Sequence, residues 1–373
     1  MAVDWLKQAV SQSEFLHPYI PGKPITQMLR ELGLSEADIA AKVSSTIKLA
    51  SNENPYGAPP KALAAIVDAA SEAHRYPDGD CFELKQALAK KHGITPEQLL
   101  IGNGSNEVLE LIIRTFAGAG DEVIYSQRGF IVYALASTAA GATGVAVPEH
   151  DGFGHDLNAM LDVVNNKTKV VCIANPNNPT GALLPTSELQ SFLDKLPSHI
   201  IVILDEAYFD YVTDEVDDSI QTLKHDGLIV CRTLSKAYGL AGLRVGYAVA
   251  KKDILAVVNR FREPFNVNGL AQAAALAALD DHDWVMEKVQ QTKAERTRLE
   301  SALSELGCLA APSFANFVLF QHENSAEIVK KLEQEGVIVR PLAPYGMPDI
   351  LRVSVGTTSE NDAFLAALSK VLP

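Results

Sequence analysis

The chain of 373 residues has few cysteines, no long apolar run and no excess of positive charge. The scattered cysteines lack CxxC spacing, which argues against a zinc site and against a disulfide framework; they are Cys81, Cys172, Cys231 and Cys308. No stretch approaches the roughly 18 consecutive apolar residues of a membrane span. The net charge of −14 disfavours nucleic-acid binding, which needs a basic face. We expect no metal site, no membrane and no nucleic acid as a partner.

What is present is the composition of a globular protein, with 47% apolar and 21% charged residues. A length of 373 residues predicts two domains, because single cores stop growing beyond roughly 250–300 residues. The first residues, MAVDWLKQAVSQSEF, show no basic region followed by an apolar block. We therefore expect no secretory signal and a cytoplasmic location.

The order of the predicted elements divides the chain into three parts. Residues 1–45 read as an N-terminal arm with two short helices, the second capped by Ser35. Residues 46–265 alternate helical segments with short apolar runs, which predicts an α/β domain with strands buried on both faces of a mostly parallel sheet. The runs are residues 123–126, 144–148, 169–175, 200–208, 227–233 and 244–250.

Residues 266–373 predict a smaller α+β domain. One long helix is expected over about 267–305, with Gly307 as its C-cap. The remaining predicted strands and helices alternate: strands at 317–321, 337–341 and 351–356, and helices at 325–335 and 359–371. We expect the N-terminal arm to pack against this domain and against a partner subunit.

Lys236, in the run TLSKAYGLAGLRVGY (residues 233–247), has neighbours suited to a covalent cofactor anchor. A lysine amine attacks a carbonyl only when unprotonated, and burial or a nearby cation such as Arg244 lowers its pKa. Thr233 and Ser235 add hydroxyls that, with Arg244, suit a phosphate. The set favours pyridoxal 5'-phosphate. An exposed lysine at a helix start is the alternative.

Two further strands are followed by polar side chains, at the edge where α/β sheets bind ligands. Asp205 ends an apolar run and would be a costly buried charge unless a protonated pyridine nitrogen paired with it. Tyr208 follows, within reach of the ring oxygen. Asn178 lies in the turn NPNNPTG, where its amide could donate to the same oxygen. Capping and turn-forming roles remain alternatives for these residues.

The run IGNGSNEVLELIIRTF places Gly102, Gly104 and Ser105 ahead of a helix that begins near Asn106. A glycine-rich turn that enters a helix N-terminus presents free backbone N–H groups to a phosphate. No Gly-Lys-Ser/Thr follows, so this is not a Walker loop. A simple Ser N-cap is the alternative.

Taken together, these motifs resemble the fold-type-I pyridoxal-phosphate aminotransferases, and within them the histidinol-phosphate aminotransferase family. The resemblance spans nearly the whole chain and rests on motifs in the family's order. They are LASNENPYG (49–57), HRYPDGD (74–80), GNGSNE (102–107), NPNNPTG (175–181), DEAY (205–208), TLSKAYGLAGLRVGY (233–247), ANF (315–317), VIVRP (337–341) and LRVSVG (351–356). It implies a large domain with a mostly parallel seven-stranded sheet and a smaller α+β domain.

The resemblance also implies roles for single residues. Lys236 would bind the cofactor covalently and move the substrate proton, Asp205 would pair with the ring nitrogen, and Asn178 and Tyr208 would contact the ring oxygen. The implied phosphate and cofactor contacts are Gly104, Ser105, Asn106, Thr233, Ser235 and Arg244. Tyr56 would reach the cofactor phosphate of the neighbouring subunit, so that a homodimer with shared active sites is expected.

Substrate recognition is expected from Arg340 and Arg352, since arginine binds phosphate and carboxylate bidentately. The pair would take the phosphate of histidinol phosphate and, in the other half-reaction, the second carboxylate of glutamate or 2-oxoglutarate. Surface ion pairs are the alternative. Tyr19 and Asn316 are further candidates for substrate contact.

One position departs from the family's pattern. Arg128, in YSQRGFIVY, stands where the family usually has an aromatic residue stacked on the cofactor ring. Either Arg128 turns outward and Phe130 or Tyr133 covers the ring, or the alignment is displaced by two residues.

The expected reaction is transamination of histidinol phosphate with 2-oxoglutarate, a step of histidine biosynthesis. Two alternatives share the fold, namely an aromatic amino-acid aminotransferase and a phosphothreonine-type decarboxylase. A non-catalytic, cofactor-sensing regulator would need a DNA-binding module, and the sequence has no residues to spare for one.

Overall fold

Helices and short strands alternate along most of the chain. The computed structural model describes residue 5 and residues 8–16, 22–149 and 153–372. The strands are β1 (Ile47–Lys48), β2 (Leu99–Gly102), β3 (Glu122–Ser126), β4 (Thr143–Val147), β5 (Thr168–Ala174), β6 (Ile201–Asp205), β7 (Leu228–Thr233), β8 (Gly246–Val249), β9 (Leu309–Ala311), β10 (Phe317–Gln321), β11 (Val337–Ile338), β12 (Arg340–Pro341) and β13 (Ile350–Ser354). The helices are α1 (Ile25–Glu31), α2 (Glu36–Lys42), α3 (Pro60–Ala69), α4 (Phe82–His92), α5 (Ser105–Phe116), α6 (Ile131–Ala139), α7 (Leu157–Asp162), α8 (Thr186–Leu193), α9 (Ser219–Thr222), α10 (Lys252–Val258), α11 (Gly269–Leu279), α12 (His282–Glu305), α13 (Ser325–Gln334) and α14 (Thr358–Val371).

A seven-stranded sheet forms the centre of the larger part, in the order β2-β8-β7-β6-β5-β3-β4. The pairs β7–β6, β6–β5, β5–β3 and β3–β4 are parallel, and only β8 runs antiparallel to its neighbours. The predicted mostly parallel, seven-stranded sheet is therefore confirmed.

Successive residues of the central strands face opposite sides of the sheet, as the strand period of two requires. On β6, Ile201 and Ile203 pack into a core with residues of α5 and α6, whereas Val202 and Leu204 pack with residues of α7 and α8. Asp205 continues the first series. Its side chain therefore emerges towards α6, from which Tyr133 reaches it.

The C-terminal part is built on a four-stranded antiparallel sheet in the order β12-β13-β10-β9. Its core unites residues of this sheet with α12, α13 and α14; Phe320 and Phe364 meet edge to face within it. The predicted α+β character of this part is confirmed.

The N-terminal helices pack on the C-terminal part. Met28, Leu29 and Ile39 of α1 and α2 form one apolar cluster with Ile338 of β11. Strand β1 pairs in parallel with β11. The boundary predicted at residue 46 stays a prediction, and this pairing favours one a few residues later.

Several local expectations from the sequence differ from the structure. The single helix predicted over 267–305 is two helices, α11 and α12, because Asp280 and Asp281 interrupt it; the Lys61 N–H donates to Asp281 Oδ2 at 3.1 Å, and Lys61 Nζ donates to the Asp280 carbonyl at 2.7 Å. The run 337–341 is split into β11 and β12.

Strand β4 was predicted to be buried on both faces, and this prediction is wrong. It lies at the sheet edge, where most of its side chains are exposed. The short strands β2 and β9 were not predicted from the apolar runs. Within the described ranges, every helix is too short or too polar to cross a bilayer.

Candidate active site

A cavity of about 230 Å³ lies at the carboxyl ends of β5, β6 and β7, whose last residues Ala174, Asp205 and Thr233 line it. This is the edge of an α/β sheet at which ligands bind. The other lining residues are Gly22, Ala50, Ser51, Asn52, Ser105, Asn106, Phe130, Pro176, Asn178, Ala207, Tyr208, Ser235, Lys236, Arg244, Tyr345 and Arg352. The structure thus brings ten of the predicted site residues to one cavity.

Lys236 lies in the loop after β7, with its amine at the cavity wall. Nζ donates to the Ser51 carbonyl at 3.4 Å and lies 5.8 Å from the centre of the Tyr208 ring. Burial, together with the charges of Arg352 and Arg244, lowers the pKa of Lys236 to about 8 against the opposing effect of nearby carboxylates. A substantial fraction of the amine is therefore neutral, and hence nucleophilic, near physiological pH.

Asp205 is buried at the end of β6, with its two oxygens in different surroundings. Oδ2 accepts a hydrogen bond from Tyr133 Oη at 2.8 Å. Oδ1 is buried and has no hydrogen-bond partner among the described residues. Burial raises the pKa of Asp205 to about 6, while the Tyr133 hydroxyl and the Ala207 N–H favour the anion. A buried carboxylate with one unpartnered oxygen is suited to a cationic N–H donor.

Tyr208 stands beside the lysine on the segment that follows β6. Its ring packs edge to face on Phe317, with ring centres 5.4 Å apart. Its Oη accepts a hydrogen bond from Asn52 Nδ2 at 2.9 Å. Burial raises the pKa of Tyr208 to about 12, so the phenol stays protonated.

Helix α5 begins beside Arg244. Gly104 is its N-cap, with φ +79°, and a Cβ there would lie 2.3 Å from Arg244 Nη2. Only glycine therefore fits between the helix and the guanidinium. Ser105 is the first helical residue and makes no side-chain cap, so the Ser N-cap alternative is wrong. The arrangement places a helix N-terminus and an arginine at one end of the cavity.

Two hydroxyls after β7 differ in what they can offer a ligand. Ser235 Oγ is buried and has no hydrogen-bond partner within the described ranges. Thr233 Oγ1 donates to the Val245 carbonyl at 3.2 Å and accepts from the Ser235 N–H at 3.1 Å. Ser235 is thus the better candidate for a phosphate contact, and Thr233 also holds the loop together.

Arg352 enters the cavity from β13 and binds Asn178. Its Nη1 donates to Asn178 Oδ1 at 2.6 Å, and its Nη2 donates to the Ala50 carbonyl at 3.3 Å. The oxygen of the Asn178 amide is thereby engaged, so its NH₂ group is the part that can donate to a ligand.

Arg340 does not line the cavity, but it is paired across the sheet with Arg352, which does. Arg340 and Arg352 are Cα partners on the antiparallel strands β12 and β13, so both side chains project from the same face. Both are buried. Like charges directly opposite each other destabilise a sheet. An anion between or beside the two guanidinium groups would offset their repulsion.

The remaining predicted contacts lie elsewhere. Tyr56 is partly buried away from the cavity, with Lys288 Nζ 5.5 Å from its ring centre. Asn316 is fully buried behind the wall, where its Nδ2 donates to the Asn52 carbonyl at 3.1 Å. Tyr19 lies outside the described residues.

At the position expected to hold an aromatic residue, Arg128 lies away from the cavity, as both explanations of this departure from the family's pattern require. Arg128 does not line the cavity, and its Nε lies 3.6 Å from Oε2 of the buried Glu149. Phe130 lines the cavity instead. Tyr133 packs edge to face on Phe130, and its hydroxyl donates to Asp205 Oδ2.

Two residues of the site had no role assigned from the sequence. Asn52 lies in the motif LASNENPYG, but nothing in that motif indicates its contact with Tyr208. Tyr345 lies in the loop between β12 and β13 and lines the cavity, as Arg352 does. The one signal that marks Asn52 is its burial within a loop segment, and only the structure shows that burial.

Comparison with known proteins gives one consistent family. The aminotransferase class I and II family matches residues 44–368. The histidinol-phosphate aminotransferase of Methylobacillus flagellatus is 48% identical over 366 residues, 98% of this chain and 97% of that protein. Histidinol-phosphate aminotransferase 2 of Methylococcus capsulatus is 51% identical over 365 residues, 96% of each chain.

A solved structure agrees with these sequences. The crystal structure of histidinol-phosphate aminotransferase from Sinorhizobium meliloti in complex with pyridoxal-5'-phosphate superposes with a TM-score of 0.87. The sequence identity is 29%, and the match covers 98% of this chain and 97% of that one.

Proposed function

This chain belongs to the aminotransferase class I and II family, and from that membership we propose that it is a pyridoxal 5'-phosphate-dependent histidinol-phosphate transaminase. It would convert L-histidinol phosphate and 2-oxoglutarate to imidazole acetol phosphate and L-glutamate in histidine biosynthesis. The relatives that carry this activity in their names match nearly the full length of the chain. The predicted fold-type-I architecture is confirmed by the superposition on the Sinorhizobium meliloti enzyme.

The residues at the cavity fit pyridoxal 5'-phosphate. Two buried polar atoms that line it, Asp205 Oδ1 and Ser235 Oγ, lack partners among the described residues. Such atoms are costly unless a ligand supplies a hydrogen bond. A pyridine N–H would satisfy the carboxylate, and a phosphate oxygen would satisfy the hydroxyl.

When bound, pyridoxal 5'-phosphate supplies an electron-accepting ring on which an amino group is exchanged. Lys236 Nζ would hold its aldehyde carbon, and the same amine would take the proton from the substrate α-carbon and return it. Asp205 would keep the ring nitrogen protonated. Asn178 and Tyr208 would donate to the ring oxygen.

The phosphate would lie at the start of α5. Backbone N–H groups at the helix N-terminus, the guanidinium of Arg244 and the hydroxyls of Ser105 and Ser235 converge there. These are the donors that phosphate prefers. Gly104, Asn106 and Thr233 would complete the contacts, with Thr233 acting mainly through the loop that it holds.

Substrate anions would be bound by Arg352, assisted by Arg340. Two buried guanidinium groups on one face of a small sheet support recognition of a dianion, whether the phosphate of histidinol phosphate or the second carboxylate of 2-oxoglutarate. Tyr345 adds a phenol on the same side of the cavity. Asn316 would act indirectly, through Asn52.

The observation that carries the proposal is the pair formed by Lys236 and Asp205. A lysine whose pKa is lowered to about 8 lies in one cavity with a buried aspartate whose Oδ1 is unpartnered among the described residues. The test is a spectrum of the purified protein with pyridoxal 5'-phosphate. We expect a visible absorption band that Lys236→Ala abolishes and that histidinol phosphate bleaches.

Product analysis separates the proposed reaction from its alternatives. With histidinol phosphate and 2-oxoglutarate we expect glutamate and imidazole acetol phosphate. A higher kcat/KM for phenylalanine or tyrosine would identify an aromatic aminotransferase. Release of carbon dioxide from phosphothreonine, which unlike histidinol phosphate carries a carboxylate, would identify a decarboxylase. Retention of both the band and turnover by Lys236→Ala would overturn the proposal.

We further propose a cytoplasmic homodimer with shared active sites. Tyr56 does not line its own chain's cavity, which supports a role in the partner's. Exposed aromatic side chains around Tyr76 and Phe265, which stack with ring centres 4.8 Å apart, suit a subunit interface. The four cysteines are free and buried, as is usual in a reducing compartment.

A further inference from the structure

Asn52 connects the C-terminal sheet to the cavity through one residue. It is 1% exposed and has φ +55°, the left-handed conformation that asparagine tolerates better than most residues. Its carbonyl accepts from Asn316 Nδ2 at 3.1 Å, and its N–H donates to Ser354 Oγ at 2.8 Å. Its side chain lines the cavity beside Tyr208. Backbone and side chain are therefore both fixed from several directions.

The contacts of Ser354 determine which way the Asn52 amide faces. Ser354 Oγ already accepts from the Asn52 N–H, and its own proton is donated to Asn52 Oδ1 at 3.2 Å. With the amide oxygen engaged by Ser354, the amide nitrogen faces Tyr208 and donates to Oη at 2.9 Å. If the amide rotated by half a turn, its oxygen would face Tyr208 Oη and would accept the phenol proton, which would then point away from the cavity.

This orientation fixes the role of the Tyr208 hydroxyl. A phenol oxygen that accepts a hydrogen bond from one side directs its own proton elsewhere. For Tyr208 the open direction is the cavity, which it lines. We propose that Asn52 is a positioning residue that keeps Tyr208 a hydrogen-bond donor towards the ring oxygen of pyridoxal 5'-phosphate. The inference rests on the proposed function, which places that oxygen beside Tyr208.

A donor at the ring oxygen stabilises its anionic form, and so lowers the pKa of the linkage between Lys236 and the cofactor. The charged and titratable groups around Tyr208 are Arg352 from β13, Asp205 from β6, Lys236 from the loop after β7, and Tyr345 from the loop before β13. None of these touches the Asn52 amide in the hydrogen bonds given above. A change confined to Asn52 therefore reports on the orientation of the phenol.

The decisive variant is Asn52→Asp in the cofactor-loaded enzyme. The new carboxylate has nearly the same shape but no N–H, so it would accept the Tyr208 proton and turn the phenol oxygen towards the ring oxygen. We expect the spectral pKa of the bound cofactor to rise by about 1–2 pH units, the size expected for loss of one hydrogen bond to a charged group. Tyr208→Phe should raise it in the same direction, and the double variant should add little.

Two further variants distinguish positioning from a general structural role. Asn52→Gly keeps the left-handed backbone but removes the amide, and we expect a smaller rise in the spectral pKa. Ser354→Ala removes the hydroxyl that orients the Asn52 amide but leaves the amide next to Tyr208, so it should raise the spectral pKa in the same direction as Asn52→Asp and by less. Cofactor affinity and melting temperature, measured alongside, report any loss of structure.

The outcomes separate the inference from the proposed function. A wild-type protein without the cofactor band would refute the proposed function. A normal wild-type band with an unchanged spectral pKa in both Asn52 variants would refute the inference alone. Shifts in the Asn52 variants that appear only together with a loss of cofactor affinity and of melting temperature would also refute it, because a structural role would then suffice.

Discussion

The protonation and orientation of single side chains at the cavity depend on hydrogen bonds from neighbouring buried residues. Oδ1 of Asp205 has no hydrogen-bond partner among the described residues, while Oδ2 is held by the buried hydroxyl of Tyr133. Burial raises the pKa of the carboxyl, and the hydrogen bond from Tyr133 opposes this rise. The hydroxyl of Tyr133 thus helps to keep Asp205 an anion.

Tyr133→Phe should therefore weaken cofactor binding. Removing the hydroxyl should raise the pKa of Asp205 further above about 6, so that less carboxylate is ionised at pH 7. We expect pyridoxal 5'-phosphate to bind about 10-fold more weakly at pH 7, with part of the loss recovered at higher pH. Equilibrium titration of the apoprotein between pH 6 and 8 measures this. Tyr125→Phe is the control; it removes a partly buried hydroxyl of a residue that does not line the cavity, and it should bind the cofactor normally.

Arg128→Tyr should leave activity equal or raise it, because the arginine does not line the cavity. Its cost should instead appear in stability, since Glu149 is buried and loses a charged neighbour. We expect a loss of about 1 kcal/mol in the free energy of unfolding, given the 3.6 Å separation and the partial exposure of the arginine. A fall in kcat/KM of about 100-fold or more, roughly 2.7 kcal/mol, would instead assign Arg128 a positive role.

At the scale of elements, helices are held to the central sheet by buried polar contacts as well as by apolar packing. His92, the last residue of α4, is 5% exposed, and its Nε2 lies 2.9 Å from Oη of Tyr247 on β8. Burial lowers the pKa of His92 to about 4. The imidazole is therefore neutral in the folded protein at any pH where the enzyme would work.

The burial of His92 predicts that the protein loses stability within a defined range of acid pH. In the unfolded chain His92 binds a proton below about pH 6.5, whereas in the folded chain it does so only near pH 4. The unfolded state thus binds more protons in between, and stability must fall as the pH drops through that window. We expect His92 to contribute about 2–3 kcal/mol of this loss.

Urea unfolding of the apoprotein at several pH values between 4 and 7.5 tests the assignment to His92. The difference in stability between wild type and His92→Gln should change with pH below about 6.5 and be constant above it. Parallel curves for the two proteins would show that other groups cause the acid sensitivity.

At the scale of the whole molecule, the expected dimer explains features that one chain leaves open. Large hydrophobic side chains remain exposed on the single chain, among them Tyr76 at 83% and Phe82 at 55%. Tyr56 sits apart from its own cavity. Both features are accounted for if a second copy covers the aromatic side chains and receives Tyr56.

A heterodimer of two damaged subunits tests shared sites. One subunit carries Lys236→Ala and the other Tyr56→Phe, and differently tagged copies allow the mixed dimer to be isolated. If Tyr56 acts across the interface, one site of the mixed dimer is intact and activity should reach about half that of wild type. If each site uses its own Tyr56, activity should not exceed half that of the Tyr56→Phe homodimer.

Helices and strands were predictable from the sequence where a local pattern of residues determined them. They were less predictable where packing against distant segments determined them. The runs that became β5, β6 and β7 are apolar throughout because both faces of a central parallel strand are buried. The run of β4 is similar in composition, yet its place at the sheet edge leaves it exposed. The interruption between α11 and α12 is held by Lys61, which is about 220 residues away in sequence.

The sequence by itself determined the strands, the α/β order and the motifs that place Lys236, Asp205 and Asn178 at strand ends, because these depend on local periodicity and turn chemistry. Only the tertiary structure decided which side chains touch. Tyr133 and Asp205 are 72 residues apart, Asn52 and Tyr208 are 156 apart, and Asn178 and Arg352 are 174 apart. Such contacts arise because strand alternation and sheet order bring distant segments together, and no local pattern encodes that pairing.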